Sequence, residues 1–459
     1  MMDKPSTIII PVESQVRELD AKILLACAAV ERGFPVIIGS RAFIHYSVDS
    51  LPRGVYLAKS MRTLSIRMFT ILRDLGHEIV GWDEEGLVRW PDDEYYRWRL
   101  SPVTLKELSH LLAWGEDDAR VLCGYPGYAG TPVHLTGNPR IDLLRPELRS
   151  FYQQKADMLK EQYGDFILIN TNFSKVNHFF PHLSELKQPA LELEAGGEET
   201  FDAGKGRLKQ VLFEYFQEML PALCRSVPKM NIIVRPHPAE SHQPWLDITR
   251  DYPNLKIINE DSVTPWLLAA KVLVANGCTT MIEAAVLGTP VVAYQPVTGG
   301  KYDDDLPNEV SYRVYSLDEL CLQVKEIVNG EKGPVDELER SRILGPHIAA
   351  LDGRLSCDRM VDVLVDAGYL QDPPPAVPLG KYLRGWLHNR VRTVSKKINM
   401  RRPGHRNNFA YHRHRFPGVT AGEIQARVNH LGNILGRFQH VRVVPQSRYV
   451  FTMGCKGKK

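Results

Sequence analysis

The 459-residue chain lacks several features that would assign it to a specialised class of protein. Its seven cysteines form no Cys-x-x-Cys pair, which argues against a zinc site or a disulfide framework and favours reduced thiols. No segment approaches the ~18 uninterrupted apolar residues of a membrane span, and the apolar run near the N-terminus is too short for a signal peptide. There is no internal repeat either. These absences lead us to expect a globular, cytoplasmic protein.

What is present is ordinary in amount but uneven in distribution. Hydrophobic residues make up 44% of the chain and charged residues 24%, and the length suits two or three domains of roughly 150 residues each. Residues 381–459 hold 18 of the 57 Lys and Arg residues but only one acidic residue, Glu423. A mildly acidic body therefore carries a strongly basic tail, which indicates an anionic partner.

Predicted strands and helices alternate along most of the chain. TIIIPV, ELDAKILLACAAVERG and FPVIIGS predict a strand, a helix and a strand, the opening of a parallel α/β protein. A second series of the same kind runs from FILINTNFS to PVVAY. We therefore predict two facing Rossmann-like domains with a cleft between them, at residues 1–148 and 149–370. The Pro-rich linker QDPPPAVPLG then separates a basic tail, residues 371–459, with amphipathic helices.

The segment NIIVRPHP predicts a buried strand that ends at Arg235, because the prolines that follow cannot donate to a sheet ladder. Arg235, His237 and Pro238 would then lie at the carboxyl end of that strand, where open α/β sheets bind ligands. A Pro-rich loop that happens to contain a histidine explains this fragment equally well.

The segment VLVANGCTT predicts a strand, a tight turn and the start of a helix. Asn276 and Gly277 would form the turn, and Thr279 and Thr280 would cap the helix. Backbone N–H groups and two hydroxyls at such a helix start suit a phosphate, and Glu283 could hydrogen-bond a ribose. An ordinary capped helix with Glu283 on its solvated face is the alternative.

The segment EIVGWDEEG places three carboxylates, Asp83, Glu84 and Glu85, directly after an apolar strand. Three adjacent acids usually form a solvated loop. However, like charges raise one another's pKa, which suits a general base. At a strand end in the first domain, these carboxylates would lie across the cleft from His237.

Further polar residues follow other predicted strands. They are interpreted as donor-binding in the second domain and as acceptor-side in the first, with turn chemistry, a hinge or a charged helix start as the alternatives. The donor-side residues are Asn170, Thr171, Asn172 and Ser174, and the acceptor-side residues are Glu13, Arg17, Asn138 and Arg140.

Together, Glu84-Glu85-Gly86, His237-Pro238 and Thr279-Thr280 resemble three motifs of bacterial sialyltransferases, polysialyltransferases and β-Kdo transferases of the GT-B fold. Those motifs are an acidic-acidic-Gly segment, a His-Pro segment and a Ser/Thr pair. Residues 7–365 are also similar to the bacterial group of surface carbohydrate biosynthesis proteins. The Thr-Thr pair stands where many relatives have Ser-Ser or Ser-Thr, which keeps the hydroxyl chemistry.

The resemblance implies a GT-B-like α/β fold and metal-independent transfer of a CMP-activated sugar acid of the sialic, legionaminic, pseudaminic or Kdo kind. The acceptor would be a growing surface polysaccharide or glycolipid, as in capsule or lipopolysaccharide synthesis. It also implies that Glu84 is the general base, that His237 binds or protonates the departing phosphate, and that Thr279 and Thr280 hold it. Donors aimed at an anionic leaving group need no metal, and no cofactor is expected because the CMP-sugar is a substrate. We interpret YDDDLP, the one acidic candidate for a metal motif, as a solvated loop.

Three other functions remain open. A CDP-glycerol-type glycerophosphotransferase also uses an Arg-x-His-Pro-like segment and a Ser/Thr-containing turn, although the WDEEG segment favours the sugar-acid reading. A UDP-sugar 2-epimerase-like enzyme has the same fold and a similar turn. A basic nucleic-acid-binding protein would explain the tail, but the body shows no platform of stacking aromatics, so nucleic acid is not expected.

The tail contains two apolar stripes at near-helical spacing, interleaved with Arg and Lys. We expect these helices to lie on an anionic membrane surface, the inner face of the plasma membrane, where lipid-linked acceptors reside. Packing of the first helix back on the body is the alternative. The stripes are Tyr382, Leu383, Trp386, Leu387, Val391, Val394 and Ile398, and then Ile424, Val428, Leu431, Ile434, Leu435 and Phe438.

Overall fold

The computed structural model describes residues 5–184, 200–403, 405 and 407–455, which form two compact units. Unit 1 comprises Met1–Leu87, Tyr95–Phe151 and Gly345–Lys459, and unit 2 comprises Val88–Glu94 and Tyr152–Leu344. The chain passes from unit 1 to unit 2 between Phe151 and Tyr152, close to the predicted boundary at residue 148. The tail and the segment before it belong to unit 1, whereas the sequence placed them in a separate region and in the second domain.

The strands in chain order are mostly short runs of buried β-branched and aliphatic residues, which suit the interior of a sheet. They are β1 Thr7–Val12, β2 Val36–Ser40, β3 Gly54–Ala58, β4 Glu78–Trp82, β5 His110–Ala113, β6 Val133–Leu135, β7 Phe166–Asn170, β8 Asn231–Arg235, β9 Leu255–Ile257, β10 Val272–Ala275, β11 Val291–Tyr294, β12 Tyr312–Val314, β13 Val441–Ser447 and β14 Val450–Cys455.

The helices alternate with these strands through most of the chain. They are α1 Gln15–Glu31, α2 Arg41–Ser47, α3 Ile66–Asp74, α4 Asp92–Arg99, α5 Pro102–Leu105, α6 Glu116–Gly124, α7 Pro139–Asp142, α8 Gln153–Tyr163, α9 Phe201–Ser226, α10 Gln243–Thr249, α11 Thr264–Ala269, α12 Thr279–Leu287, α13 Asp305–Glu309, α14 Leu317–Val328, α15 Glu337–Leu344, α16 Ser356–Asp366, α17 Leu379–Met400, α18 Phe409–Arg415 and α19 Ala421–Leu435.

Unit 1 is built on a sheet with the strand order β13-β14-β2-β1-β3-β4-β5-β6. Strands β1 to β6 are parallel, and β14 pairs with β2 in the antiparallel sense. The chain runs from β1 to β2 on one side and then crosses to β3 on the other. The carboxyl end of β1 is therefore the topological switch point of this sheet, where ligands of such folds bind.

Unit 2 has a parallel sheet of order β12-β11-β10-β7-β8-β9. Here the chain runs from β7 through β8 to β9 and then returns to the other side of β7 as β10. Its switch point therefore lies between the carboxyl ends of β7 and β10. The predicted α/β class, with two parallel sheets, is confirmed.

The tail is part of unit 1. Its two predicted helices correspond to α17 and α19, but the hairpin of β13 and β14, which extends the first sheet, was not predicted. Most of the second apolar stripe is buried: Ile424, Val428, Leu431 and Phe438 are covered, and Ile434 and Leu435 are half-buried. This second stripe is therefore not available to a membrane. Across the described part of the chain, we find no helix with the length and apolar character needed to cross a bilayer.

Candidate functional site

In unit 2, the loop that follows β7 is tied to the loop that follows β10 through one side chain, Asn172. Its Nδ2 donates to the carbonyl oxygens of Asn276 and Gly277, each at 2.9 Å. Its Oδ1 accepts a hydrogen bond of 2.9 Å from Nζ of Lys209 on α9. Since these loops flank the switch point, Asn172 fixes the geometry of the place where a ligand is expected.

The start of α12 completes this edge. Thr279 is the first residue of the helix and Cys278 is its N-cap, without a side-chain cap hydrogen bond, so the prediction that Thr279 and Thr280 cap the helix is wrong. Oγ1 of Thr280 accepts a hydrogen bond of 3.0 Å from Nδ2 of Asn170. Gly277 has a φ of +51°, which favours glycine, and a Cβ added there would lie 2.6 Å from Oδ2 of Asp304. The turn before α12 thus has no room for a side chain at Gly277, and the backbone N–H groups of the first helical turn follow directly after it.

Glu240 organises the other side of the β7 loop. Its carboxylate accepts hydrogen bonds from the hydroxyl of Thr171 (2.8 and 2.9 Å), the backbone N–H of Phe173 (2.7 Å) and the backbone N–H of His237 (3.3 Å). Burial raises the pKa of Glu240 to about 7, although these hydrogen bonds act in the opposite direction. One side chain thus positions both the β7 loop and the loop that carries His237.

His237 lies half-buried just past the end of β8, as the sequence predicts. Its Nδ1 accepts a hydrogen bond of 3.1 Å from the backbone N–H of Ala239. In the neutral ring, Nε2 must then carry the proton, so Nε2–H is a hydrogen-bond donor at the edge of the sheet. The neighbouring Pro238 is exposed.

The side chain of Arg235 contacts other parts of unit 2. Its guanidinium donates to the backbone carbonyl oxygens of Glu260 (2.9 Å) and Asp261 (3.1 Å) and lies 4.8 Å from the ring centroid of Trp266. Burial lowers its pKa to about 10. These contacts hold the loop after β9. A donor-binding role for Arg235 therefore remains a prediction from sequence.

Two buried lysines of α9 supply positive charge near the β10 loop. Nζ of Lys205 donates to the carbonyl oxygen of Tyr302 (2.7 Å) and to Oδ1 of Asp304 (2.8 Å). Nζ of Lys209 is 4.0 Å from Oδ2 of Asp304. Burial lowers the pKa of Lys209 to about 8, with Asp304 acting in the opposite direction. The aspartate at the centre of YDDDLP is thus buried and paired, so its interpretation as part of a solvated loop is wrong.

The remaining predicted donor-side residues take different places. Glu283 is buried, so the alternative of a solvated helix face is wrong for it, while contact with a ribose stays a prediction. Ser174 is half-buried beyond the β7 loop.

In unit 1, the switch point is filled by a web of ion pairs. Glu13 follows β1, and its carboxylate pairs with Arg41 (2.8 Å), Lys59 (3.0 Å) and Arg415 (2.6 Å). Burial by itself would raise the pKa of Glu13, but these three cations lower it to about 2. Lys59 also donates to Glu18, at 2.7 Å.

The web continues through α1 to the acidic loop. Nζ of Lys22 donates to Glu18 (2.7 Å) and to the carbonyl oxygen of Pro11 (2.8 Å), and it lies 3.3 Å from Oε2 of Glu84. Lys22, Glu18 and Glu84 are all buried. Burial would raise the pKa of Glu18, but Lys22 and Lys59 hold it well below its usual range.

The other two carboxylates of the acidic loop are paired as well. Asp83 accepts hydrogen bonds from the hydroxyl of Tyr95 (2.9 Å) and from the guanidinium of Arg99. Glu85 is 48% exposed and pairs with Arg17 (3.4 Å) and Arg99 (3.1 Å). Burial would raise the pKa of Glu85, but the cations lower it. The expectation that these like charges raise one another's pKa is therefore wrong for Glu85, because the positive charges of Arg17 and Arg99 outweigh the effect of the neighbouring acids.

The predicted acceptor-side residues after β6 serve the local fold. Oδ1 of Asn138 accepts a hydrogen bond of 2.9 Å from the backbone N–H of Arg140 and so caps the short helix α7. Both side chains are largely buried. Of the predicted acceptor-side residues, Glu13 lies at the β1 switch point and Arg17 pairs with Glu85 of the acidic loop, while an acceptor-side role for Asn138 and Arg140 stays a prediction.

Several residues of these edges were missed from the sequence. The signals that could have found most of them are basic residues inside the apolar patterns of helices and an acid three residues after His237. They are Lys22, Lys205, Lys209 and Glu240, and Lys59, which directly follows β3, was missed without such a signal.

Comparisons with known proteins give remote matches. No family model matches the chain, and no curated protein matches its sequence. Solved structures that match include the wall teichoic acid polymerase TagF, with 11% identity, coverage of 80% of this chain and 90% of that chain, and a TM-score of 0.48. Another is the Methanocaldococcus jannaschii UDP-GlcNAc 2-epimerase in complex with UDP-GlcNAc and UDP, with 14% identity, coverage of 78% and 99%, and a TM-score of 0.48. The S. aureus MnaA–UDP structure matches with 11% identity, coverage of 81% and 100%, and a TM-score of 0.48.

Proposed function

We propose that the protein is a transferase that acts on a nucleotide-activated sugar, with the donor phosphate held by unit 2 at the switch point between β7 and β10. The observation that supports this most directly is the double hydrogen bond from Asn172 to the carbonyl oxygens of Asn276 and Gly277. It locks the turn that precedes α12, so that the N–H groups of the first helical turn are preorganised for an anion.

The charge of this edge supports an anionic ligand. Lys205 and Lys209 are buried there, and Asp304 is the carboxylate that both of them approach. Burial holds the pKa of Lys209 at about 8, so its charged form lacks full compensation in the unliganded protein. A phosphate close to Lys209 would supply that compensation.

We propose further that the donor is a CMP-activated sugar acid and the acceptor a hydroxyl of a surface glycan. The acceptor oxygen bonds to the anomeric carbon while the bond from that carbon to the phosphate oxygen breaks, and the electron pair leaves with CMP. His237 donates from Nε2–H to the departing phosphate, which carries the developing charge. The acceptor proton passes to a carboxylate of the acidic loop in unit 1.

Exposure distinguishes the carboxylates of that loop. Glu84, the base implied by the sequence motif, is buried against Lys22, whereas Glu85 is half exposed. A general base must come within hydrogen-bond reach of the proton that it takes. We therefore place the base at Glu85. Glu85→Gln should lose turnover but keep CMP affinity, and Glu84→Gln should mainly lower stability. Loss of turnover at full stability in Glu84→Gln would return the role to Glu84.

The first test is thermal stabilisation by free nucleotides. A ligand that binds only the folded state at about 100 times its Kd adds about 2.7 kcal/mol of stability, so CMP should raise the melting temperature clearly. Asn172→Ala should reduce this shift, and Gln210→Ala on α9 serves as the matched control, because Gln210 is half-buried and its side chain bonds only locally, to Glu214. No shift with CMP, or an equal shift in Asn172→Ala, would contradict the proposed phosphate site.

The second test is a panel of donors, with release of CMP as the readout. CMP-linked sugar acids should be consumed in the presence of a glycan acceptor. CDP-glycerol also yields CMP when its terminal phosphate is attacked, so turnover of that donor alone would replace sugar-acid transfer with glycerophosphate transfer. Conversion of a UDP-sugar without any acceptor would instead identify an epimerase.

A further inference from the structure

Helix α17 exposes its large apolar side chains. Six of them are between 40% and 58% exposed, and we call this set the α17 stripe: Leu383, Trp386, Leu387, Val391, Val394 and Ile398. The side chains that the helix buries are instead small or polar, Gly385, Asn389 and Thr393. This is the reverse of a helix that packs its apolar face on a core.

Polar contacts fix this orientation on unit 1. Nδ2 of Asn389 donates to Oδ1 of Asp49 at 3.0 Å. The guanidinium of Arg384 donates twice to the carboxylate of Asp74, at 2.8 and 2.6 Å. A Cβ added to Gly385 would lie 2.7 Å from Cβ of Asp74, so the helix backbone approaches the body closely. Rotation of α17 to bury the stripe would break all of these contacts.

The stripe is continuous. At 100° and 1.5 Å per residue, its six side chains fall within an arc of about 140° and span about 22 Å along the helix. Arg390, which also pairs with Asp49, and Lys397 fall within that arc, and Arg401 follows the end of the helix on the same side. A long apolar band interleaved with basic side chains is the arrangement of helices that lie in the plane of a membrane interface.

The charge around the stripe selects the occupant. Helix α17 itself holds six Lys or Arg residues and no acidic residue, an excess that the same face of a second copy would repel. An anionic lipid surface both accepts the apolar band and attracts the basic residues that flank it. The other tail helix does not compete for this role, because the stripe of α19 is buried in unit 1.

We infer that the α17 stripe docks unit 1 on an anionic lipid bilayer, with the stripe at the boundary between head groups and acyl chains and α17 parallel to the surface. This inference does not rest on the proposed function. It predicts attachment of the folded, unmodified chain without any change in the contacts that hold α17.

The test is co-sedimentation of the full chain with vesicles of phosphatidylcholine alone and of phosphatidylcholine mixed with phosphatidylglycerol. The variant carries Leu383→Ser, Leu387→Ser and Val394→Ser together, because these side chains are exposed and their loss leaves the packing of α17 intact. The matched control carries Leu322→Ser and Leu338→Ser, two exposed leucines of unit 2.

Wild type and control should bind the anionic vesicles, and their binding should weaken as salt is added. The triple variant should partition at least about tenfold less, with an unchanged melting temperature. Three results would overturn the inference: equal binding by the triple variant, equal binding of wild type to neutral and anionic vesicles, or a wild-type dimer in the absence of lipid that the triple variant loses.

Discussion

The charges at the carboxyl edges of the two sheets are neutralised to different extents. In unit 1, the carboxylates of the half-buried Glu13 and of the buried Glu18 and Glu84 each contact at least one Lys or Arg, so the charges compensate one another. In unit 2, Lys205 and Lys209 share Asp304. The charges of the first edge are therefore neutralised within the protein, whereas we propose that the second gains from an anion. Charge at a switch point does not by itself mark a binding site, because what counts is whether the protein has already neutralised it.

The largest effect should come from breaking the compensated edge. Lys22→Met would leave Glu18 and Glu84 without the ammonium group that lies between them, and removal of one partner of a buried pair costs about 3–5 kcal/mol. Chemical denaturation at neutral pH should show a loss of this size. Arg120→Ala removes an exposed ion pair with Asp117 as the control, and should cost less than about 1 kcal/mol. Similar costs for both variants would mean that the unit 1 web is not tightly coupled.

The second prediction concerns function in unit 2. His237→Ala should lower turnover by about 10²–10³, the loss expected for one donor aimed at developing charge, with little change in melting temperature. The exposed histidine His182, replaced by alanine, is the control in the same unit and should leave turnover unchanged. Turnover of His237→Ala within a few-fold of wild type would remove this residue from the mechanism.

The third prediction uses the buried carboxyl of Glu240, whose pKa burial raises from 4.5 to about 7. The folded state then holds a proton that the unfolded state has lost between these values. The stability contributed by Glu240 is therefore complete below about pH 4.5 and is lost as the pH rises through 7.

Glu240→Gln is neutral at every pH. As the pH rises, the unfolding free energy of the variant should therefore increase relative to that of wild type. The expected change is about 2–4 kcal/mol between about pH 5 and about pH 8. Parallel denaturation curves at the two pH values measure it, and the exposed Glu214→Gln on α9 is the control. A difference that does not depend on pH would show that Glu240 is ionised throughout and that the two edges differ less than proposed.

Short sequence patterns were enough to predict those features of the two edges that depend on residues close together in the chain. The run Ile232 to Val234 followed by proline gave the end of β8, and the Asn-Gly turn gave the start of α12, because sterics and donor loss act within a few residues. The same reasoning gave the α/β class. The ends of β8 and β10 were thus predictable, together with the polar residues that directly follow them.

Pairings between distant segments were not predictable in the same way. The bond from Asn172 to Asn276 joins residues 104 apart, and Lys22 meets Glu84 only because α1 packs beside β4's loop. Such contacts decide whether an acid is free or neutralised, which sequence spacing cannot show. The apolar stripe of α17 was visible in the sequence, but the contacts of its opposite face with Asp49 and Asp74 on unit 1 were not, for the same reason.

The smallest expected effect comes from replacing Gly277 in the turn before α12, which tests how rigid the unit 2 edge is. Gly277 and Gly288 both have positive φ, +51° and +80°, but a Cβ on Gly277 would meet Asp304 at 2.6 Å, whereas one on Gly288 meets nothing within 4 Å. Each alanine variant should cost about 1–2 kcal/mol for its backbone conformation. Gly277→Ala should cost more than Gly288→Ala and should also weaken CMP binding, because Asp304 must move away from Lys205 and Lys209. Equal stability of the two variants, with unchanged CMP affinity, would show that the unit 2 edge tolerates rearrangement and is not the preorganised anion site that distinguishes it from unit 1.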